Sequence, residues 1–108
     1  MFRTIARTSL AAAVALAATA WLHAAGHPVT QKGKAFQPGT LTVKAGETVS
    51  FKNDDDVTHN AFSTSKGNEF NSKVQTPGSS TDVVFKTKGT AQVKCAFHPG
   101  MSLTITVE

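Results

Sequence analysis

The sequence has no tyrosine, one cysteine, one tryptophan and two methionines in 108 residues. A single cysteine excludes an internal disulfide framework. No C-x-x-C-H run occurs, so a c-type haem attachment is unsupported. Charged residues make up only 17% of the chain while 40% is hydrophobic, which excludes wholesale disorder and permits a packed core. The longest uncharged apolar run, residues 10–22 (LAAAVALAATAWL), has 13 residues, short of the ~20 a spanning helix needs. A chain of 108 residues is too short for a large two-domain enzyme with a deep cleft, and one small domain is expected.

What is present begins with a leader. Arg3 and Arg7 precede the apolar run, so residues 1–24 carry the pattern of a cleavable signal peptide. Two cleavage points fit, Ala18-Thr19-Ala20 before Trp21 and Leu22-His23-Ala24 before Ala25. The second is preferred because it leaves a polar start, AGHPVTQKGK, and discards Trp21. An uncleaved membrane anchor is the alternative. No adjacent Arg pair is present, so export of the unfolded chain by the general route is expected, with any metal acquired outside the cytoplasm. The expected location is therefore the periplasm, without stable membrane insertion after cleavage. Loss of Arg3 and Arg7 lowers the formal charge from +4 to about +2, which removes the main support for a nucleic-acid partner.

Residues 25–35 are expected to form a flexible mature N-terminus, and residues 36–108 the folded domain. Leu41 and Val43 alternate with Thr40 and Thr42, residues 44–47 supply a turn, and Val49 and Phe51 alternate with polar neighbours. That pattern predicts a hairpin with one buried face. Ala61-Phe62 continues a short strand, and Val83-Val84-Phe85 is expected to pair with residues 91–95 around Lys88-Gly89. Leu103, Ile105 and Val107 mark a terminal strand, and Phe36-Gln37-Pro38-Gly39 an early strand and turn. Residues 63–80 are polar, with room for a single helical turn and with Phe70 and Val74 as expected core plugs. Some seven short strands at this spacing predict an all-β, Greek-key antiparallel β-sandwich.

The chemistry is concentrated in four residues. Cys95, His98 and Met101 lie in CAFHPGM, and His59 lies upstream in VTHN. Thiolate and thioether are soft donors that favour Cu(I), while imidazole also suits Cu(II). Two His and one Cys with a weak axial Met hold a geometry between those preferences, so an electron enters or leaves with little rearrangement. Pro99-Gly100 helps fold the loop so that His98 and Met101 face Cys95, and His59 closes the site from another strand. Taken singly, each residue has a structural explanation, and a lone Cys is ordinarily a small buried hydrophobe. Together they predict one type 1 copper per chain. Zinc accepts Cys and two His, but a thioether fourth ligand argues against it.

With those residues in view, the segment from Phe36 to Glu108 resembles a cupredoxin of the plastocyanin, pseudoazurin and amicyanin group. The resemblance rests on FQPGTLTVKAGETVSFKNDD, the THN turn, Pro77-Gly78 before VVF, and CAFHPGM followed by a strand. The short Cys-x-x-His-x-x-Met loop is similar to that of amicyanin. The resemblance implies a blue protein, with His59, Cys95, His98 and Met101 as ligands, that carries single electrons between larger redox proteins. It also implies that Asn60 joins the His59 segment to the Cys95 loop by hydrogen bonds. His98 would emerge among Ala96, Phe97, Pro99 and Gly100, an apolar docking collar for brief encounters.

Two features depart from the photosynthetic plastocyanins. Lys94 stands where those proteins carry a Tyr beside the Cys, so a remote acidic docking route is not expected. Asp54, Asp55 and Asp56 crowd the approach to His59, either as a solvated turn or as a contact to a basic partner. Lys66, Lys73 and Lys94 are candidates for electrostatic steering. A monomeric, non-enzymatic electron carrier is the leading expectation, and a copper delivery protein without redox turnover the alternative. An oxidase or nitrite reductase would need further His ligands and a second copper cluster. If Ala25 becomes the first residue, Ala25-Gly26-His27 offers a second, colour-poor Cu(II) site in the expected tail.

Overall fold

Alternation of apolar and polar residues writes most of the core. In the computed structural model, which describes residues 26–108, Leu103, Ile105 and Val107 face inward from the last strand, and Val49 and Phe51 face inward from the fourth. Among the described residues nine strands form: β1 His27–Lys32, β2 Ala35–Gln37, β3 Thr40–Val43, β4 Glu47–Asn53, β5 Phe62–Ser63, β6 Phe70–Asn71, β7 Ser80–Phe85, β8 Gly89–Lys94 and β9 Ser102–Val107. They build a four-stranded sheet, β2-β1-β4-β7, and a five-stranded sheet, β3-β9-β8-β5-β6. Phe51 stacks on Phe70 with ring centroids 5.5 Å apart, and Phe70 meets Phe85 edge-on at 5.6 Å. Buried aromatics of this kind each contribute on the order of 1.5–3 kcal/mol. The leader expected in residues 1–24, with Ala25, lies outside the described residues.

The sandwich is as expected, but several pairings differ. β3 and β4 do not form a hairpin; they belong to opposite sheets. The turn between them shows why, because Ala45 N–H donates to Glu108 O beyond β9 while Gly46 N–H donates to Phe85 O at the end of β7. Successive amides of one turn thus bind the two layers. β7 and β8 likewise sit in opposite sheets, and their connection is tied by Asn68, whose Oδ1 accepts from the amides of Lys86 and Thr87. Nor is the pairing wholly antiparallel. β1 runs parallel to β4, and β3 parallel to β9. Alternation identifies the face a strand buries but not the strand beside it.

Three local expectations are corrected. Residues 27–32 are not a flexible tail but strand β1, paired with β2 and β4, with Val29 and Gln31 buried. Its inward face carries an amide rather than a second apolar residue, so alternation gave no signal. A two-residue turn links β1 to β2, with Gly33 and Lys34 both at positive φ (61° and 56°), the conformation that lets a tight hairpin follow the twist of its strands. Val74 is 61% exposed rather than a core plug, because Gln75 beside it turns inward to bridge His59. Residues 63–80 contain the short β6 and no helix among the described residues. His27, offered above as part of a second copper site, lies in β1 with its Nε2 on Glu47 Oε1 at 2.9 Å.

Candidate metal centre

Three of the sequence-predicted donors meet at one end of the sandwich. Cys95 follows β8 directly, and its thiol is buried. The chain then turns through residues 96–101, closed by Met101 N–H donating to His98 O at 2.9 Å, and enters β9. His59 comes from the segment between β4 and β5, where its backbone exchanges two hydrogen bonds with Gln75. His59 Nδ1 and His98 Nδ1 lie 3.1 Å apart, and each is 3.8 Å from Cys95 Sγ. The centre of that triangle is about 2.1 Å from every donor, close to the ~2.0–2.3 Å bonds that imidazole and thiolate make to a transition metal. The donor set therefore fits a metal by chemistry and by spacing. Met101, 1% exposed, belongs to the same loop.

The three donors differ in access. His59 is fully buried and Cys95 nearly so, whereas His98 is half-buried. Around His98, Ala96, Phe97, Pro99 and Gly100 are all exposed, and Phe97 leaves half its surface in solvent. Asn60 links the two ligand segments. Its Oδ1 accepts from Ala96 N–H at 2.7 Å, and its own N–H points to Cys95 Sγ at 3.5 Å.

Asp55 is the functional residue that sequence reasoning missed. Of the three consecutive aspartates, Asp54 and Asp56 are exposed, but Asp55 Oδ2 accepts from His59 Nε2 at 3.0 Å and from Lys34 N–H at 2.9 Å. Those two bonds, the His59 contact first, hold the Asp55 carboxyl at about 2, below its ordinary 3.8. A carboxylate on Nε2 keeps the ring proton there and leaves the Nδ1 lone pair free toward Cys95 and His98. The sequence signal was the spacing, Asp55 four residues before His59, but a run of three acids reads first as a solvated turn. Behind His59 lies a buried amide network, equally unforeseen. Asn53 Nδ2 donates to Val57 O and Gln75 O, and Gln75 Nε2 donates to Phe51 O.

A mixed β-sandwich with two imidazoles and a thiolate converging at one pole defines a cupredoxin-type copper site. Comparison with known families agrees: residues 24–108 match the model of copper binding proteins, plastocyanin/azurin family. The chain belongs to that family, and its donors fit a single type 1 copper.

Among solved structures, a purple cupredoxin from Nitrosopumilus maritimus is 28% identical, with a TM-score of 0.68 over 76% of this chain and 99% of that one. A reduced amicyanin variant, 22% identical, superposes with a TM-score of 0.72 over 78% of this chain and 83% of its own. A copper-containing nitrite reductase from Thermus scotoductus, 24% identical, gives 0.72 over 77% of this chain but only 22% of that longer one. No match was found among curated proteins. Among the described residues no helix is long and apolar enough to cross a membrane.

Proposed function

We propose that this protein is a periplasmic carrier of single electrons, with Met101 as the thioether that would complete the His59, Cys95 and His98 set. Bound copper would supply a one-electron Cu(II)/Cu(I) couple. The observation that carries the reading is the unequal exposure of the donors: one imidazole reaches solvent through an apolar collar while the other and the thiolate stay buried. Because His98 turns Nδ1 toward Cys95 and His59, Nε2 lies on the far side of its ring. Against a docked partner, Ala96, Phe97, Pro99 and Gly100 would exclude water around that ring, shorten the path and offer a small, quickly released contact. Lys66, Lys73 and Lys94, all exposed, can steer the approach. The leader pattern of residues 1–24 supports export, and the family supports copper.

The deciding experiment loads the exported protein with Cu(II) and records its visible spectrum and voltammogram. An intense thiolate-to-copper band with fast, reversible one-electron voltammetry is expected, and Cys95→Ser abolishes the band. Intense colour persisting in that variant would refute Cys95 as ligand. Copper passed to an acceptor without electron exchange would mark a delivery protein instead.

A further inference from the structure

We propose that the β1–β2 hairpin is a positioning element of the metal centre, acting on His59 through Asp55 and on Asn60 through Gln31, and that it biases the centre toward Cu(II). The proposal rests on the copper reading above. The hairpin reaches the centre at two points. At its tip, the turn at Gly33 and Lys34 aims the Lys34 N–H at Asp55 Oδ2, the same oxygen that accepts the hydrogen bond from His59 Nε2–H. Sharing one oxygen means the carboxylate cannot swing away from the imidazole without also abandoning the hairpin. His59 is then held at its backbone by Gln75 and at its ring by Asp55, with Nδ1 left to face the other donors.

Along the body of β1, fully buried Gln31 donates from Nε2 to Gln75 Oε1 at 3.0 Å and to Asn60 O at 3.3 Å. Asn60 is the residue that ties Ala96 and Cys95 to the His59 side. Gln31 Oε1, also buried, meets no partner. An apolar side chain here would spare that oxygen but would leave Gln75 Oε1 and Asn60 O without this donor. The Gln31 hydrogen bonds go to the two residues that flank and brace His59. The electronic consequence comes from Asp55. A carboxylate accepting the Nε2 proton makes Nδ1 a stronger donor, and its charge favours the more positive metal state. Both effects favour Cu(II).

The test compares Cu(II)-loaded wild-type protein with Asp55→Asn, Gln31→Leu and Glu47→Gln. A wild-type protein without the thiolate-to-copper band would sink the copper reading itself, apart from anything the hairpin does. With the band present, Asp55→Asn is expected to shift the relative Cu(II)/Cu(I) affinity about tenfold toward Cu(I), a potential ~59 mV higher for one electron. Gln31→Leu should surrender copper to a chelator about tenfold more readily. Glu47→Gln removes the carboxylate charge that faces His27 at the far end of β1, so it should lower the melting temperature and leave potential and copper retention unchanged.

In the metal-free wild-type protein, long-range proton–nitrogen NMR should place the His59 proton on Nε2. A proton on Nδ1 overturns the proposal even where a variant fails to fold. So does an unchanged potential in Asp55→Asn, or equal shifts in Glu47→Gln.

Discussion

One wall of the metal centre, the Cys95–Met101 loop, packs a thiolate, an imidazole and a thioether into seven consecutive residues. The opposite wall supplies a single donor, His59, and draws its supports from β1, the β1–β2 turn, β4 and the segment around Gln75. The first wall is short and local, and between buried Cys95 and Met101 it opens to solvent. The second is buried and assembled from distant segments. The difference separates two tasks: a compact loop brings donors together and meets partners, while a distributed scaffold fixes the one ligand that no partner touches. Rigidity on the buried side keeps the donor triangle constant, and that constancy limits rearrangement between oxidation states.

The sharpest way to break the contrast is to remove each imidazole in turn. His98→Ala is expected to open a gap that added imidazole refills, restoring copper colour, because His98 already meets solvent. His59→Ala should not be rescued, since His59 has no exposed surface through which a small molecule could enter. Titration of each variant with imidazole, followed by visible spectroscopy, checks this. Equal rescue would erase the distinction between the walls.

A smaller effect is expected where the walls meet. Asn60→Ala leaves the Ala96 N–H without its 2.7 Å acceptor, a loss of about 1–3 kcal/mol in unfolding free energy. Denaturant unfolding of the metal-free protein measures it. An unchanged midpoint would mean that the two ligand segments are braced elsewhere.

The smallest effect concerns β1 away from the centre. Glu47 Oε1 accepts from Lys44 N–H and meets His27 Nε2, and these contacts, the amide first, lower its carboxyl pKa from the ordinary 4.5. A carboxyl depressed in the folded state stabilises it above the ordinary value and loses that advantage as pH falls through the folded one. Wild type should therefore melt above Glu47→Gln at neutral pH, with the gap closing once pH drops below 4.5. A gap that persists in acid would rule out ionised Glu47 as its source.

The two walls were unequally legible in the sequence. The exposed loop could be read because its donors are neighbours and their chemistry is specific. Leu103, Ile105 and Val107 were equally plain, since a strand with one face in the core must alternate. The buried wall was hidden for physical reasons. Gln31 occupies an inward position without being apolar, so it broke the alternation that would have revealed β1. Asp55 sat between two aspartates that are solvated, and composition could not say which of the three turns inward. The adjacency of β3 and β4 along the chain favoured a hairpin, yet the amides of Ala45 and Gly46 send them to different layers. Periodicity reports the environment of a residue, whereas pairing depends on loop geometry and on contacts between distant segments.

The parallel pairing of β3 with β9 has a consequence for when the protein becomes competent. Ribosomes make the chain from its N-terminus, so β3, whose strand partner is β9, waits unpaired until β9 emerges. Long-range closure of this kind is slow and leaves the unfinished chain prone to sticking. Met101 directly precedes β9, so no nascent fragment that stops before β9 contains a closed sheet. A closed sheet beside His59, Cys95 and His98 therefore forms only once β9 has emerged.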